Sequence, residues 1–192
     1  MEANTKCVFT VVTGGYDNVL RINKKKGWDY ICFTDKANNI PTNSWKFSPV
    51  HEKDLLVECP KRRANSVVMK YYEYLSTNYE TCIYLDGNIQ IKKDLDLLLK
   101  TFKYDPSVHD LMISNHPDRT CVYQEANEII RLNRDDKNKV LEHVTQLKNA
   151  GYPVNNGLYE TGMMILSRNS RKLEELFTRW YEVYMSLPSK RD

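Results

Sequence analysis

The chain has 192 residues, a hydrophobic content of 41% and a formal net charge of +3, from 28 basic and 25 acidic residues. We expect residues 1–192 to form a single domain, either complete or the C-terminally truncated part of a longer protein. The balanced charge argues against a nucleic-acid partner, because nucleic-acid binders carry a strong basic excess. The low counts of Gly and Pro, 7 each, exclude collagen-like and low-complexity proteins.

The N-terminal sequence and the spacing of the cysteines indicate the cellular compartment. The apolar run near the N-terminus is too short for a signal peptide, and no window of the sequence is long enough to span a membrane. The five cysteines are far apart and form no CxxC pair, which argues against a zinc knuckle and is typical of buried side chains in a reducing compartment. We therefore expect a cytoplasmic protein without a transmembrane segment.

Two short apolar runs open the chain, and each ends in polar residues. Residues 7–13 are rich in β-branched side chains and are closed by Gly14 and Gly15, and residues 30–34 end at Asp35. Continuous apolar runs are typical of strands buried on both faces, as in a parallel sheet.

Apolar residues at helical spacing then predict a helix over residues 62–79. Its first turn is cationic, which opposes the helix dipole. Arg63 and Lys70 lie seven residues apart, so they are expected on one helix face. Such a face either binds an anion or is an ordinary solvated surface.

The third apolar run, residues 81–85, leads directly into Asp86, Gly87 and Asn88. Gly87 permits a tight, left-handed bend that brings the two flanking oxygen-bearing side chains to one centre. Hard oxygen ligands suit Mg²⁺ or Mn²⁺, with phosphates completing the shell. A plain turn is the competing interpretation. Residues 89–91 are expected to be extended, and Asp94 to cap a helix that runs to about Phe102.

The second half of the chain continues the alternation of strands and helices. We predict a strand over residues 110–114, helical structure over 121–149, a strand over 162–166 and an amphipathic helix over 173–185. The alternation predicts an α/β fold with a mostly parallel central sheet flanked by helices, a Rossmann-like architecture. Ligands of such sheets bind beyond the carboxyl ends of the strands, where polar residues follow four of the predicted strands.

The sequence motifs of several well-known enzyme classes are absent. There is no GxGxxG after the first strand, no GxxxxGK[ST] phosphate loop and no GxSxG elbow. A phosphohydrolase of the haloacid dehalogenase type would also begin from a strand-end aspartate. Its chemistry normally needs a second aspartate as acid and base two residues on, and Asn88 cannot exchange that proton.

Seven segments occur in one order along the chain: FTVVTGGYD, DYICFTD, CPKRRANSVVMK, IYLDGNIQI, HPDRTCVYQEA, GLYETGMMILSRN and SKRD. Together they resemble the glycosyltransferase-like family formerly called domain of unknown function 616, over residues 8–192. The resemblance implies an A-type nucleotide-diphospho-sugar transferase fold with a DxD-like metal motif, with which Asp86 and Asn88 align. The family pattern continues beyond SKRD, where this chain stops.

The resemblance implies a metal-dependent hexosyltransferase. The donor is a nucleoside-diphosphate sugar, the acceptor a hydroxyl of a glycan, lipid or protein, and the cofactor Mn²⁺ or Mg²⁺. The residues expected around the donor are Thr13, Gly14, Tyr16, Asp35, Arg63, Lys70 and Gly87.

The remaining candidates concern the metal and the acceptor. Asp86, Asn88 and His116 are the expected metal ligands, although His116 before a proline is also a common structural arrangement. Asp86, Glu160 and Asp192 are the candidate catalytic carboxylates, with Glu160 or Asp192 as the base for the acceptor hydroxyl. A catalytically degenerate transferase fold that serves as a binding or scaffold module is the alternative.

Overall fold

The computed structural model describes residues 4–15, 19–36 and 45–191, so the predicted site residues Tyr16 and Asp192 lie outside the described residues. The strands are β1 (Lys6–Val12), β2 (Asp29–Thr34), β3 (Lys46–Pro49), β4 (Thr81–Leu85), β5 (Leu111–Asn115) and β6 (Tyr159–Ser167). The helices are α1 (Glu52–Leu55), α2 (Pro60–Met69), α3 (Tyr71–Tyr74), α4 (Leu95–Thr101), α5 (Val122–Arg131), α6 (Lys137–Asn149) and α7 (Arg171–Ser186).

The six strands form one sheet in the order β3-β2-β1-β4-β6-β5. β1 is parallel to both of its neighbours, with Phe9 opposite Ile31 of β2 and Tyr84 of β4. β2 and β3 are also parallel, whereas β4 pairs with β6 in the antiparallel sense. The predicted α/β fold with a mostly parallel central sheet flanked by helices is confirmed.

Alternate residues of β1 supply two apolar layers, because successive side chains of a strand point to opposite faces. Phe9 stacks on Tyr71 of α3, with 6.4 Å between the ring centroids. Val8 belongs to a second buried cluster, which includes Trp28 and Leu95 of α4. Burial on both faces explains why β1 reads as a continuous apolar run.

The helix predicted over residues 62–79 is wrong in its length. α2 ends at Met69, and Lys70 leaves helical geometry with φ −106° and ψ 26°. α3 is a single turn, and it is followed by Leu75 in extended backbone. The apolar spacing continues across the break because Tyr71 and Leu75 are buried as well, so periodicity alone could not reveal it.

Other differences from the predicted elements are local. The helical stretch at residues 121–149 is two helices, with Asn133 at φ 51° between them and Asp136 capping α6. Residues 89–91 belong to no strand of the sheet, and the extended conformation expected for them stays a prediction. β3 and α1 were not predicted, because both are four-residue elements of mostly polar sequence without a clear period.

The chain divides into two compact units. The first unit comprises Met1–Met112 with Gly162–Tyr181, and the second comprises Ile113–Thr161 with Glu182–Asp192. A small apolar cluster in the second unit joins α5 and α6. In the described part of the chain, no helix combines the length and the apolar character needed to cross a membrane. The single domain over residues 1–192 and the cytoplasmic location stay predictions.

Candidate functional site

Three neighbouring strands of the first unit end at the same edge of the sheet. β1 lies between β2 and β4 and is parallel to both, so the segments after these strands leave the sheet side by side. From β1 the chain continues to β2 and β3 on one side of β1, and β4 then lies on the other side. The order in which the strands are added therefore reverses between β1 and β4. Such a switch point is where ligands bind in open α/β sheets. The structure brings Thr13, Asp35 and Asp86 to this edge.

The turn after β4 carries the Asp86–Gly87–Asn88 motif. The Ile89 N–H donates to the Asp86 carbonyl at 2.9 Å, which closes the turn. Asp86 is half-buried, Gly87 is buried and Asn88 is exposed. The prediction of a left-handed bend at Gly87 was wrong, since Gly87 does not have a positive φ. The turn instead closes through its own hydrogen bond.

Further hydrogen bonds place the Asp86 turn within the first unit. The Asp86 N–H donates to the Gly162 carbonyl of β6 at 2.9 Å, which extends the antiparallel pairing by one residue beyond β4. The Leu20 N–H donates to the Gly87 carbonyl at 3.4 Å, so the chain that follows the β1 turn touches the β4 turn. The Tyr84 hydroxyl donates to Asp86 Oδ1 at 2.6 Å.

The turn after β1 depends on glycine for two reasons. Gly14 has φ +68° and Gly15 has φ +70°, a region that L side chains rarely adopt. A Cβ on Gly14 would also lie 2.6 Å from the Pro60 Cβ. Thr13 Oγ1 donates to the Pro60 carbonyl at 2.6 Å, so the first residue of α2 is seated against this turn.

Asp35 connects the ends of β1 and β2 with α2. Its two carboxylate oxygens accept the Gly14 N–H at 2.9 and 3.0 Å, and it forms an ion pair with Arg63. The side chains of Asp35 and Arg63 are only 5% and 14% exposed, and Arg63 Nε also donates to the Val57 carbonyl at 3.0 Å. The positive charge of Arg63 in the first turn of α2 is therefore balanced by a carboxylate of the protein itself.

Lys70 has a different carboxylate partner. It forms an ion pair with Asp54 of α1, and the two side chains are 9% and 2% exposed. The Tyr74 hydroxyl donates to the second Asp54 oxygen at 2.6 Å; burial and this hydrogen bond raise the pKa of Tyr74, so the hydroxyl stays a donor. The Lys70 ammonium also lies 4.6 Å from the ring centroid of Tyr181. Arg63 and Lys70 thus do not share one partner, and α2 ends before Lys70.

His116 and Glu160 belong to the second unit. His116 Nδ1 lies 3.1 and 3.2 Å from the N–H groups of Asp118 and Arg119, and its Nε2 lies 2.9 Å from Arg119 Nη2. Arg119 in turn pairs with Glu125. Binding of a metal by His116 would therefore replace one of these contacts. Glu160 is exposed and is the second residue of β6, so it lies within this strand rather than before it.

The oxygen donors of the first unit fit a metal ion that is shared with a substrate. Among the described residues, no group of three His, Cys, Asp or Glu side chains could hold a metal by itself. Asp86 and Asn88 offer one carboxylate and one amide oxygen. Mg²⁺ is usually bound in this way, by one or two carboxylates together with waters and substrate phosphates rather than by a cage of protein ligands.

Sequence reasoning missed Asp54 and Tyr84, whose side chains contact predicted site residues. Asp54 lies 16 residues from Lys70 in a short polar segment, and no pattern pointed to it. Tyr84 stands two residues before Asp86, and it reads as an ordinary apolar strand residue. The alternation of side chains along a strand was the one available signal, because it puts residues 84 and 86 on the same face.

The six-stranded α/β fold is that of the A-type glycosyltransferases, as its likeness to two solved structures shows. The chain is similar to mouse xyloside xylosyltransferase 1 in its apo form, with a TM-score of 0.50 and 14% identity over 91% of this chain and 70% of that chain. It is also similar to core-mannan synthase A from Aspergillus fumigatus in its Mn/GDP form, with a TM-score of 0.51 and 8% identity over 94% of this chain and 65% of that chain. At these identities the likeness shows the fold alone.

Residues 34–164 match the family model described as TOD1/MUCI70, glycosyltransferase-like domain, and the chain belongs to this family. The resemblance found in the sequence motifs is thereby confirmed. A glycosyltransferase-like family is a different class from the haloacid dehalogenase phosphohydrolases considered above. No curated protein matches the chain.

Proposed function

We propose that this domain transfers a sugar from a nucleoside-diphosphate donor to a hydroxyl group of a glycan, lipid or protein acceptor, with Mn²⁺ or Mg²⁺ as cofactor. The observation that carries the proposal is the Asp86–Gly87–Asn88 turn, which lies beside the Gly14 turn at the switch point of the sheet. The family and the Mn/GDP form of a protein with the same fold support it.

In this proposal Asp86 and Asn88 hold the divalent ion, and the donor phosphates complete its shell. The leaving diphosphate gains negative charge as the glycosidic bond breaks, and a bound divalent ion stabilises that charge. The half-buried position of Asp86 suits this role, because charges interact more strongly where water is partly excluded.

The nucleoside would lie along the turn after β1. Thr13, Gly14 and Asp35 would border it, and Gly87 would border the diphosphate. Arg63 of α2 is held at this edge by its ion pair with Asp35. A direct contact between Arg63 and the diphosphate requires exchange of the Asp35 carboxylate for a phosphate oxygen.

Three further predicted roles belong to the same proposal. Lys70 would contact the diphosphate only after it leaves Asp54, which is the more deeply buried of the two carboxylate partners. His116 would complete the metal shell. Glu160 or Asp192 would accept the proton of the acceptor hydroxyl, and general-base help of this kind typically contributes about 10²–10⁴-fold in rate.

The test is calorimetry of nucleoside diphosphates with and without Mn²⁺. Asp86→Ala should abolish the Mn²⁺-dependent part of binding, because it removes the one carboxylate of the turn. Asn88→Asp should keep or strengthen it, because a carboxylate is the better ligand for a hard cation. Glu175→Ala, which removes an exposed carboxylate of α7, is the control. Equal nucleotide affinity in the wild type and Asp86→Ala would overturn the assignment.

A binding or scaffold module is the second candidate. It is favoured by Asn88, whose amide is a weaker metal ligand than the aspartate usual at this position. Incubation of the domain with a panel of nucleotide sugars, Mn²⁺ and hydroxyl acceptors separates the two functions. A transferase consumes one of the donors, whereas a scaffold binds a donor without turnover.

A further inference from the structure

The hydrogen bond from the Tyr84 hydroxyl to Asp86 is not used by the function proposed above. The hydroxyl oxygen lies 2.6 Å from Asp86 Oδ1, within the range of a strong hydrogen bond to a carboxylate. The two residues are two positions apart at the end of β4, so their side chains lie on the same face of the sheet. One oxygen of the proposed metal-binding carboxylate is therefore already held by the protein.

Tyr84 is itself held firmly. Its side chain is buried, and its ring lies 5.4 Å from the ring of Phe9 with 48° between the planes. Its backbone is paired on both sides, with Phe9 of β1 and with Met164 of β6. A hydroxyl fixed in this way can impose an orientation on a flexible partner, whereas a surface hydroxyl would follow its partner.

We propose that Tyr84 is a positioning residue, whose hydroxyl fixes the orientation of the Asp86 carboxylate toward a divalent ion shared with the donor diphosphate. This inference rests on the proposed function. Partners that hydrogen-bond to a metal ligand orient it, and their loss typically costs about 10–100-fold in metal affinity.

The chain offers a matched control for this hydrogen bond. The Tyr79 hydroxyl donates to Asp29 Oδ2 at 2.7 Å, so it is also a phenol bound to a carboxylate. Asp29 is the first residue of β2 and Tyr79 precedes β4, so this pair lies at the opposite edge of the sheet. Tyr84→Phe and Tyr79→Phe remove the same kind of bond, and only the first removes it from the Asp86 turn.

The experiment measures Mn²⁺ binding by electron paramagnetic resonance, with UDP and separately with GDP, in the wild type and both variants. Calorimetry with uridine and guanosine and thermal melting accompany it. Tyr84→Phe should weaken Mn²⁺ binding in the nucleotide complex by about 10–100-fold. It should leave nucleoside binding unchanged and melt close to Tyr79→Phe, which should bind Mn²⁺ like the wild type.

Each other outcome overturns the inference in a distinct way. Wild-type Mn²⁺ affinity in Tyr84→Phe shows that the hydroxyl does not position the ligand, while the proposed function stands. Equal losses of nucleoside and Mn²⁺ binding, or a melting temperature well below that of Tyr79→Phe, show a structural role only. Absence of Mn²⁺-dependent binding in the wild type overturns the proposed function and this inference with it.

Discussion

At the scale of single residues, Gly14 and Gly15 look alike in sequence but differ in their surroundings. Both have a positive φ, so both carry the conformational cost that a side chain would meet there. Only Gly14 has a neighbour in the way, since an added Cβ would lie 2.6 Å from Pro60, whereas nothing lies within 4 Å of one on Gly15. A comparison of alanine substitutions at these two positions therefore distinguishes the cost of backbone strain from the cost of a steric clash.

Gly14→Ala is expected to destabilise the protein more than Gly15→Ala. The left-handed conformation costs either alanine about 1–2 kcal/mol. The clash with Pro60 adds about 1–3 kcal/mol at Gly14 alone, as in other overpacked sites. Urea unfolding of both variants measures the difference. Equal losses of unfolding free energy would show that Pro60 yields without cost.

At the scale of elements, α2 is held at both ends by carboxylates from outside the helix. Asp35 pairs with Arg63 in its first turn, and Asp54 pairs with Lys70 just after its last residue. The first pair also fixes the Gly14 turn, because Asp35 accepts the Gly14 N–H. These ion pairs link the position of the helix to the shape of the candidate donor site.

Lys70→Ala is expected to destabilise the fold. It would leave the Asp54 carboxylate buried without its cation, which typically costs about 3–5 kcal/mol. Combining Lys70→Met with Asp54→Asn should recover much of this loss, because it removes both charges. Urea unfolding of the single and double variants is the measurement. A Lys70→Ala protein of wild-type stability that binds the diphosphate poorly would instead favour the predicted phosphate contact.

At the scale of the whole molecule, the two edges of the sheet differ in character. The edge with the Asp86 turn collects polar side chains at the switch point, and Asp35 contacts Gly14 and Arg63 there. The opposite edge carries an ion-pair network, in which Lys6 of β1 and Lys25 bind Asp96 of α4 at 2.6 and 2.7 Å. The first edge suits a ligand, while the second ties a strand, a loop and a helix together.

The ion pairs of Asp96 at the second edge predict how the stability of the fold changes in acid. Hydrogen bonds from Lys25 and Lys6 lower the pKa of the Asp96 carboxyl to about 2. The folded state thus binds this proton less readily than the unfolded chain, whose aspartate has a pKa near 3.9. The stabilisation is complete above about pH 5 and is lost progressively as the pH falls through 2 toward 1.

Comparison of unfolding free energies between pH 2 and pH 6 tests this prediction. The wild type should exceed Asp96→Asn near pH 6, and the difference should shrink toward pH 2. The effect should be small, because the Asp96 side chain is 42% exposed and solvent screens its ion pairs. A difference that does not change with pH would contradict the assigned ion pairs.

The amino-acid sequence by itself determined the fold class, the central strands and the position of the polar turns. β1, β2 and β4 could be predicted within one residue, because burial on both faces produces apolar runs that are visible locally. The same runs placed Asp86 and Asn88 directly after a strand. The cap of α4 was equally local, since the Asp94 side chain accepts the N–H groups of its own first turn.

Only the tertiary structure decided which charges meet. Arg63 pairs with a carboxylate 28 residues away and Lys70 with one 16 residues away, and no sequence period joins such positions. The end of α2 at Met69 and the hydrogen bond from Tyr84 to Asp86 were hidden for a related reason. Apolar periodicity shows which residues are buried but not which residues they contact. A buried residue therefore fits the same apolar pattern whether it lies inside a helix, at a helix break or beside a carboxylate.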